Sequence, residues 1–96
     1  MAISQLHVWI SGRVQGVSFR YHAQEQALRL NVRGWIRNLY DGRVETVFCG
    51  TDNDVAQMLA WCRKGSPAAR VDRLEISEES PEDFPDFQIR ITARGG

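Results

Sequence analysis

The chain has 96 residues, of which 43% are hydrophobic and 25% are charged, and its 12 basic and 12 acidic side chains give a formal net charge of zero. This length supports one hydrophobic core, so we expect a single domain over residues 1–96. Zero net charge excludes an overall attraction to nucleic acid or to an anionic membrane, and the lack of a long apolar run or a visible signal peptide favours a cytoplasmic protein.

The first predicted element is a strand at residues 5–11, where every second side chain is apolar: Leu6, Val8 and Ile10. This alternation is typical of a half-buried strand. His7 and Trp9 are expected on its opposite face, as ordinary packing residues.

The sequence Gly-Arg-Val-Gln-Gly-Val-Ser-Phe-Arg follows at residues 12–20 and predicts a tight turn into a helix. Gly12 and Gly16 permit positive φ angles and let backbone N–H groups approach a ligand. Free N–H groups in such a turn bind anions, as does the first turn of a helix. Arg20 adds a planar charged fork that matches phosphate oxygens. A phosphate site is one interpretation, and an ordinary turn with a solvent-facing arginine is the other, since no P-loop or G-x-G-x-x-G pattern is present.

Ser18 is the expected N-cap of the helix, with its hydroxyl accepting an N–H of the first turn. The helix should run to about Leu30, with four side chains on its buried face: Phe19, Ala23, Ala27 and Leu30. Asn31 fits the end of the helix, because asparagine tolerates the left-handed conformation found there.

Two strands, at residues 33–39 and 44–49, should form a hairpin around Asp41-Gly42, since this dipeptide suits a tight turn. A second helix should follow, with capping residues near Asp52, an apolar stripe and an end at Gly65. The stripe consists of Val55, Leu59 and Cys62.

The last third of the chain predicts a strand at residues 70–77, a surface loop at 78–86 and a final strand at 87–92. The loop is acidic and contains two prolines. The final strand is expected to bury every second side chain: Phe87, Ile89 and Ile91.

Two cysteines are too few for a disulfide framework or a metal site, so we expect free thiols. Cys62 should pack in the core as a small apolar residue. Cys49 falls at a strand end, where partial exposure is expected.

The order β-α-β-β-α-β, with an additional C-terminal strand, predicts an α+β, ferredoxin-like split β-α-β sandwich with an antiparallel sheet and two helices on one face. In this arrangement the first two strands run parallel, with the third between them. Their C-terminal ends therefore lie at one edge of the sheet, and residues 12–20 should face Asn38.

Asn38 shares a strand face with Ile36, so its carboxamide should point toward the first helix and Arg20. A neutral amide both donates and accepts, and could hold a water molecule while it contacts a developing negative charge. The alternative is a strand-end asparagine that bonds to the adjacent turn.

Residues 12–20 resemble the signature of the acylphosphatases, in which Val-Gln-Gly-Val is followed by Phe-Arg. Residues 34–38, Gly-Trp-Ile-Arg-Asn, and the Asp-Gly-Arg-Val-Glu at 41–45 are similar to the second signature of that family, which contains its catalytic asparagine. A weaker match is Gly-Ser-Pro-Ala-Ala-Arg-Val at 65–71. One departure is Asn31, where the family commonly has glycine.

The resemblance implies hydrolysis of a carboxyl–phosphate mixed anhydride to a carboxylate and inorganic phosphate, with Arg20 and Asn38 as catalytic residues. Arg20 and the backbone of the turn would hold the phosphoryl group, and Asn38 would orient the attacking water. Positioning and charge stabilisation suffice for such a reaction. The expected substrate-binding residues are Gln15, Gly16, Val17, Ser18, Phe19 and Arg20.

The resemblance implies no metal and no other cofactor, and we expect a monomer that acts on a small-molecule acyl phosphate without nucleic-acid or membrane partners. One alternative is a non-catalytic ferredoxin-like module that binds RNA or a small anion. Residues 43–48 lack the aromatic pattern of an RNA-recognition strand, however. A second alternative is the acylphosphatase-like domain of hydrogenase-maturation carbamoyltransferases, which lies in a much longer chain.

Overall fold

The computed structural model describes residues 2–95, which form a five-stranded sheet and two helices. The strand order is β4-β1-β3-β2-β5. This is the predicted ferredoxin-like α+β fold. The elements are β1 (Ile3–Arg13), α1 (Phe19–Leu30), β2 (Arg33–Asn38), β3 (Val44–Thr51), α2 (Asp52–Lys64), β4 (Arg70–Glu79) and β5 (Phe87–Ile89).

The sheet is mixed, so the prediction of an antiparallel sheet is wrong for one strand. β1 pairs antiparallel with β3 and β4, and β2 pairs antiparallel with β3, but β5 pairs parallel with β2. The reason is the single loop between β4 and β5. It reverses the chain, so β5 runs opposite to β4 and in the direction that β1 and β2 share.

β3 lies between β1 and β2, as predicted, and both neighbours reach the same residue at its start. Ile10 of β1 and Asn38 of β2 are each the register partner of Val44. The C-terminal ends of β1 and β2 therefore lie at one edge of the sheet, on either side of Val44.

The core lies between the sheet and the helices. Val8 and Ile10 are fully buried, as the alternation in β1 predicts. Burying a side chain of this size contributes about 1.5–3 kcal/mol. The helices add six buried residues: Phe19, Ala23, Ala27, Val55, Met58 and Cys62. Met58 takes the place expected for Leu59 on the buried stripe, and Leu59 packs against the core at its margin.

The helix ends follow the sequence signals in most respects. Asn31 takes a left-handed conformation with φ 57° and donates its N–H to carbonyls of the last turn of α1. The Thr51 hydroxyl caps α2 by accepting the N–H of Asp54 at 3.2 Å. Within residues 2–95, neither helix is long and apolar enough to cross a membrane.

Both cysteines are free and buried. Desolvation raises the pKa of the Cys62 thiol to about 12. Cys49 is only 8% exposed, so the expectation of partial exposure is wrong. It is the register partner of Arg33 in β2 and lines a pocket with Arg33 and Phe84.

The final strand is shorter than predicted, because β5 ends at Ile89 and Ile91 is 88% exposed. The Arg90 N–H still donates to Ile36 O at 2.8 Å. The ladder is then interrupted and resumes only as an isolated bridge between Leu39 and Ala93. Alternation therefore fails at Ile91, because regular pairing with β2 has stopped.

The face of the sheet away from the helices carries a network of charged and aromatic side chains. His7 lies between two carboxylates, with Nε2 2.6 Å from Glu45 Oε2 and Nδ1 2.8 Å from Glu79 Oε2. Because both neighbours are acceptors, the ring donates both bonds only as an imidazolium. Arg37 donates to Glu45 Oε1 at 2.7 Å, and Trp9 stacks on His7 with centroids 3.9 Å apart.

Glu79 also accepts a hydrogen bond from the Gln5 amide at 3.0 Å, and the same amide donates to Glu82 at 2.9 Å. Partial burial raises the pKa of Glu79, but the hydrogen bonds from Gln5 and His7 and the His7 charge outweigh it. The pKa of Glu79 is therefore held below its ordinary value. The carboxylate stabilises the fold above its unfolded-state pKa, and this contribution is lost as pH falls through the folded-state pKa.

We expect Glu79→Gln to lower the free energy of unfolding at neutral pH and to flatten its decline in acid. The difference from wild type should be largest above about pH 5 and shrink below about pH 4.3, the usual pKa of an unfolded glutamate. Urea unfolding over this range measures it. Glu78→Gln, at an exposed position on the same strand, is the control. A difference that stayed constant with pH would contradict the assignment.

Candidate active site

Gly12 belongs to the sheet and not to the turn that follows β1. It lies in β1 at a register shift in the pairing with β4, with φ 130°. A Cβ there would lie 2.1 Å from Arg70 O, so only glycine fits this close approach. The expectation that Gly12 helps to expose N–H groups to a ligand is therefore corrected, and the turn itself begins at Val14.

The β1–α1 loop, residues 14–18, contains two left-handed residues. Gly16 has φ 72° with open space around it, so its conformation is the reason for glycine. Ser18 has φ 58°, which is uncommon for a residue with a side chain. Such strained residues cluster at ligand clamps and cost about 1–3 kcal/mol each.

Ser18 is the N-cap residue of α1, but its hydroxyl makes no capping bond. The prediction of a side-chain cap is wrong because a capping serine has extended backbone, whereas Ser18 is left-handed. Its carbonyl instead accepts the His22 N–H at 3.1 Å and lies 2.8 Å from His22 Nδ1. Since a carbonyl only accepts, Nδ1 is the donor, and the ring supports the left-handed turn.

Most backbone N–H groups of the loop and of the start of α1 have no acceptor among the described residues. Between residues 2 and 95, no hydrogen bond is donated by a backbone N–H of residues 15–21. The left-handed turns and the helix N-terminus therefore form a concave site rich in donors, which favours an anion.

Arg20 and Asn38 line the same pocket of about 280 Å³. The other residues expected to bind substrate line it too, except Val17, which is buried and does not line the pocket: Gln15, Gly16, Ser18 and Phe19. Arg20 is half-buried in the first turn of α1, and none of the ion pairs in the described part of the chain includes it. Its guanidinium is therefore available to an anion in the pocket. The predicted meeting of the two residues at one edge of the sheet is confirmed.

Asn38 is a half-buried residue whose carboxamide oxygen is fully buried. Its Oδ1 has no hydrogen-bond partner among the described residues. The alternative interpretation, an asparagine bonded to the adjacent turn, is wrong, because no described hydrogen bond joins the Asn38 side chain to that turn. The turn closes instead through Leu39 N to Arg43 O at 2.8 Å. A buried amide oxygen without a partner is costly, which points to a ligand or water in the pocket.

Two supporting contacts could not be derived from sequence spacing. The Gln15 side chain donates to Leu39 O at 2.7 Å and to Arg43 O at 2.9 Å. The buried Ser66 hydroxyl donates to Val17 O at 2.8 Å. The motif match at residues 65–71 is the signal that could have indicated Ser66, which holds the β1–α1 loop from the side of α2.

The family model for acylphosphatases matches residues 6–89. The chain belongs to the acylphosphatase family. The resemblance drawn from the motifs is thereby confirmed, and no comparison supports the non-catalytic alternative.

The relatives of this acylphosphatase chain match it along most of its length. An acylphosphatase of Syntrophobacter fumaroxidans is 60% identical over 84 residues, covering 86% of this chain and 87% of that protein. One from a Synechococcus species is 53% identical over 88 residues, covering 92% and 94%. The solved structure of an acylphosphatase from Coxiella burnetii has a TM-score of 0.88 and 38% identity, covering 92% and 93%.

Ser66→Ala should destabilise the protein by about 1–3 kcal/mol, because it leaves the Val17 carbonyl buried without a partner. The β1–α1 loop should loosen, and phosphate binding should weaken. Urea unfolding with and without phosphate measures both effects, and Ser80→Ala, at an exposed position, is the control. An unchanged unfolding free energy together with unchanged phosphate binding would contradict this support role.

Proposed function

We propose that this protein hydrolyses acyl phosphates through residues of the pocket at the ends of β1 and β2. The observation that carries the proposal is that Arg20 and Asn38 line one pocket with the donor-rich β1–α1 loop, and that the buried Asn38 Oδ1 has no hydrogen-bond partner among the described residues. A phosphoryl group and an attacking water together need both features, donors on one side and an acceptor on the other.

The phosphoryl oxygens would bind to the N–H groups of residues 15–20 and to the Arg20 guanidinium. All these groups are donors, and Arg20 carries a full positive charge that no described carboxylate neutralises by direct contact. The formal net charge of the chain is zero, so this attraction is local. Binding here would hold the phosphorus atom at a fixed position relative to Asn38.

Asn38 would orient the water. Its carboxamide has both an acceptor and donors, so it can hydrogen-bond the water while it contacts developing negative charge, and a lone pair of the water oxygen stays free to attack phosphorus. The water oxygen forms a bond to phosphorus, the bond between phosphorus and the acyl oxygen breaks, and the carboxylate leaves. One proton of the water stays on its oxygen and the other passes to a phosphoryl oxygen, so the second product is dihydrogen phosphate. Because a carboxylate is a good leaving group, the reaction depends on positioning and charge stabilisation more than on a strong base.

We also propose that the protein is a single domain and a monomer, and that it acts in the cytoplasm on a small-molecule acyl phosphate. The balanced composition supports this assignment, since it provides no overall attraction to nucleic acid or to a membrane surface. Sedimentation equilibrium of the purified protein measures its oligomeric state. A stable dimer would contradict the proposed monomer.

The purified protein should hydrolyse both benzoyl phosphate and acetyl phosphate faster than buffer does, with one inorganic phosphate released per carboxylate. Inorganic phosphate should inhibit competitively, because it occupies the same donors. Release of phosphate and loss of the anhydride, followed over time, measure the activity. Rates equal to those in buffer for both substrates would refute the proposed function.

Substitutions of Arg20 and of Asn38 should have different effects on phosphate affinity and on turnover. Arg20→Gln removes a bidentate charged contact, and each charged hydrogen bond contributes about 1.5–3 kcal/mol, so both phosphate affinity and turnover should fall strongly. Asn38→Ala should lower turnover about 10²–10³-fold and leave phosphate affinity nearly unchanged, because its contact acts mainly in the transition state. Calorimetry with phosphate and steady-state rates separate the two.

Matched controls for these substitutions are Arg63→Gln and Asn53→Ala, both at exposed positions on α2. Circular dichroism confirms that each variant is folded. Near-native turnover in folded Asn38→Ala would make Asn38 a structural residue. Equal loss of phosphate affinity in Asn38→Ala and Arg20→Gln would make it a binding residue and leave the water unassigned.

A further inference from the structure

The pocket has two halves, the β1–α1 loop on one side and the end of β2 with Asn38 on the other. The side chain of Gln15 spans the gap between them. Its backbone belongs to the β1–α1 loop, and its Nε2 lies 2.7 Å from Leu39 O and 2.9 Å from Arg43 O. Leu39 directly follows Asn38. One amide group is thus bonded to both ends of the turn that follows the proposed water-orienting residue.

Backbone pairing does not reach across this gap. The pairing of β1 with β3 ends at Ile10 and Val44, and that of β2 with β3 ends at Asn38 and Val44. β3 begins at Val44, so past this register no strand lies between the end of β1 and the end of β2. The Gln15 amide makes its bonds there, at the carbonyl that directly precedes Val44.

The other described hydrogen bonds of the β1–α1 loop and of Asn38 run to different neighbours. Ser66 holds the β1–α1 loop at Val17 O, from the side of α2. Ala93 donates its N–H to Asn38 O at 3.1 Å, from the side of β5. Each half stays anchored without Gln15, but the distance between the halves is then no longer fixed by a direct bond.

We propose that Gln15 is a positioning residue that sets the distance between Asn38 and the phosphate held by the β1–α1 loop. The inference rests on the proposed function and goes beyond it, since there Gln15 contributes only its backbone N–H. The NH₂ group has two hydrogens, one for each carbonyl, and this uses its full donor capacity. Gln15 therefore acts through Asn38, on the step in which the water attacks.

The test is Gln15→Met, which keeps the length of the side chain and the backbone N–H but has no donor. kcat for benzoyl phosphate should fall about 10–100-fold, since a displacement of about 1 Å in a reacting group has an effect of this size. The inhibition constant of inorganic phosphate should change less than about 3-fold, because the donors that bind it remain. Gln15→Asn, whose amide is too short to reach both carbonyls, should give the same pattern and keeps the test open if the methionine variant does not fold.

The matched control is Gln24→Met. Gln24 on α1 makes the same kind of bond, from its amide Nε2 to Phe87 O at 2.9 Å, but it lies outside the pocket. It should lower the thermal midpoint comparably to Gln15→Met and leave kcat unchanged. A similar loss of kcat in Gln24→Met would show a general effect of weakened packing and would overturn the proposal.

A double-mutant cycle tests whether Gln15 acts through Asn38. In the Asn38→Ala background, adding Gln15→Met should lower kcat by less than about 3-fold, because the group to be positioned is absent. A full 10–100-fold loss in that background, or a loss of phosphate affinity as large as the loss of kcat, would overturn the proposal. A wild-type protein without activity on either acyl phosphate refutes the proposed function instead, before any variant is compared.

Discussion

The insertion of β3 between β1 and β2 is the constraint on which the site depends. Antiparallel pairing on both sides of β3 makes β1 and β2 run in one direction, and both reach the register of Val44. The loop into α1 and the side chain of Asn38 consequently meet at one edge, although 18 positions separate Arg20 from Asn38 in the sequence (38 − 20). Hydrogen bonding in the sheet thus brings the β1–α1 loop and the end of β2 to within the reach of one glutamine side chain.

The pocket is built from groups that the fold leaves without partners. A folded protein ordinarily pairs its buried polar atoms, because an unpaired one costs about 1–3 kcal/mol. Here a set of backbone N–H groups and the Asn38 Oδ1 remain available, and Ser18 holds a strained conformation. The core between the sheet and the two helices, where Phe19 and Phe48 are almost wholly buried, offsets this local cost.

The sheet face away from the helices differs from the pocket, because many of its polar side chains have partners. Several of its charges are paired with one another, since His7 bridges Glu45 and Glu79 and Arg37 shares Glu45. Arg20 in the pocket, by contrast, takes part in none of the ion pairs of the described residues. The formal net charge of the chain is zero, although the pocket contains a cation without a described ion pair.

Much of the architecture was determined by the sequence alone, because local patterns carry it. Alternation located β1, capping residues located the helices, and the motif around residues 12–20 indicated both the family and the pocket. The tertiary structure decided the contacts between segments that are distant in the chain. It assigned Gly12 to a close approach with β4, buried Cys49, turned Ile91 to solvent and made β5 parallel to β2. The bonds from the Gln15 amide and the Ser66 hydroxyl are of the same kind, since a hydrogen bond between segments depends on where the chain returns and not on the residues beside it.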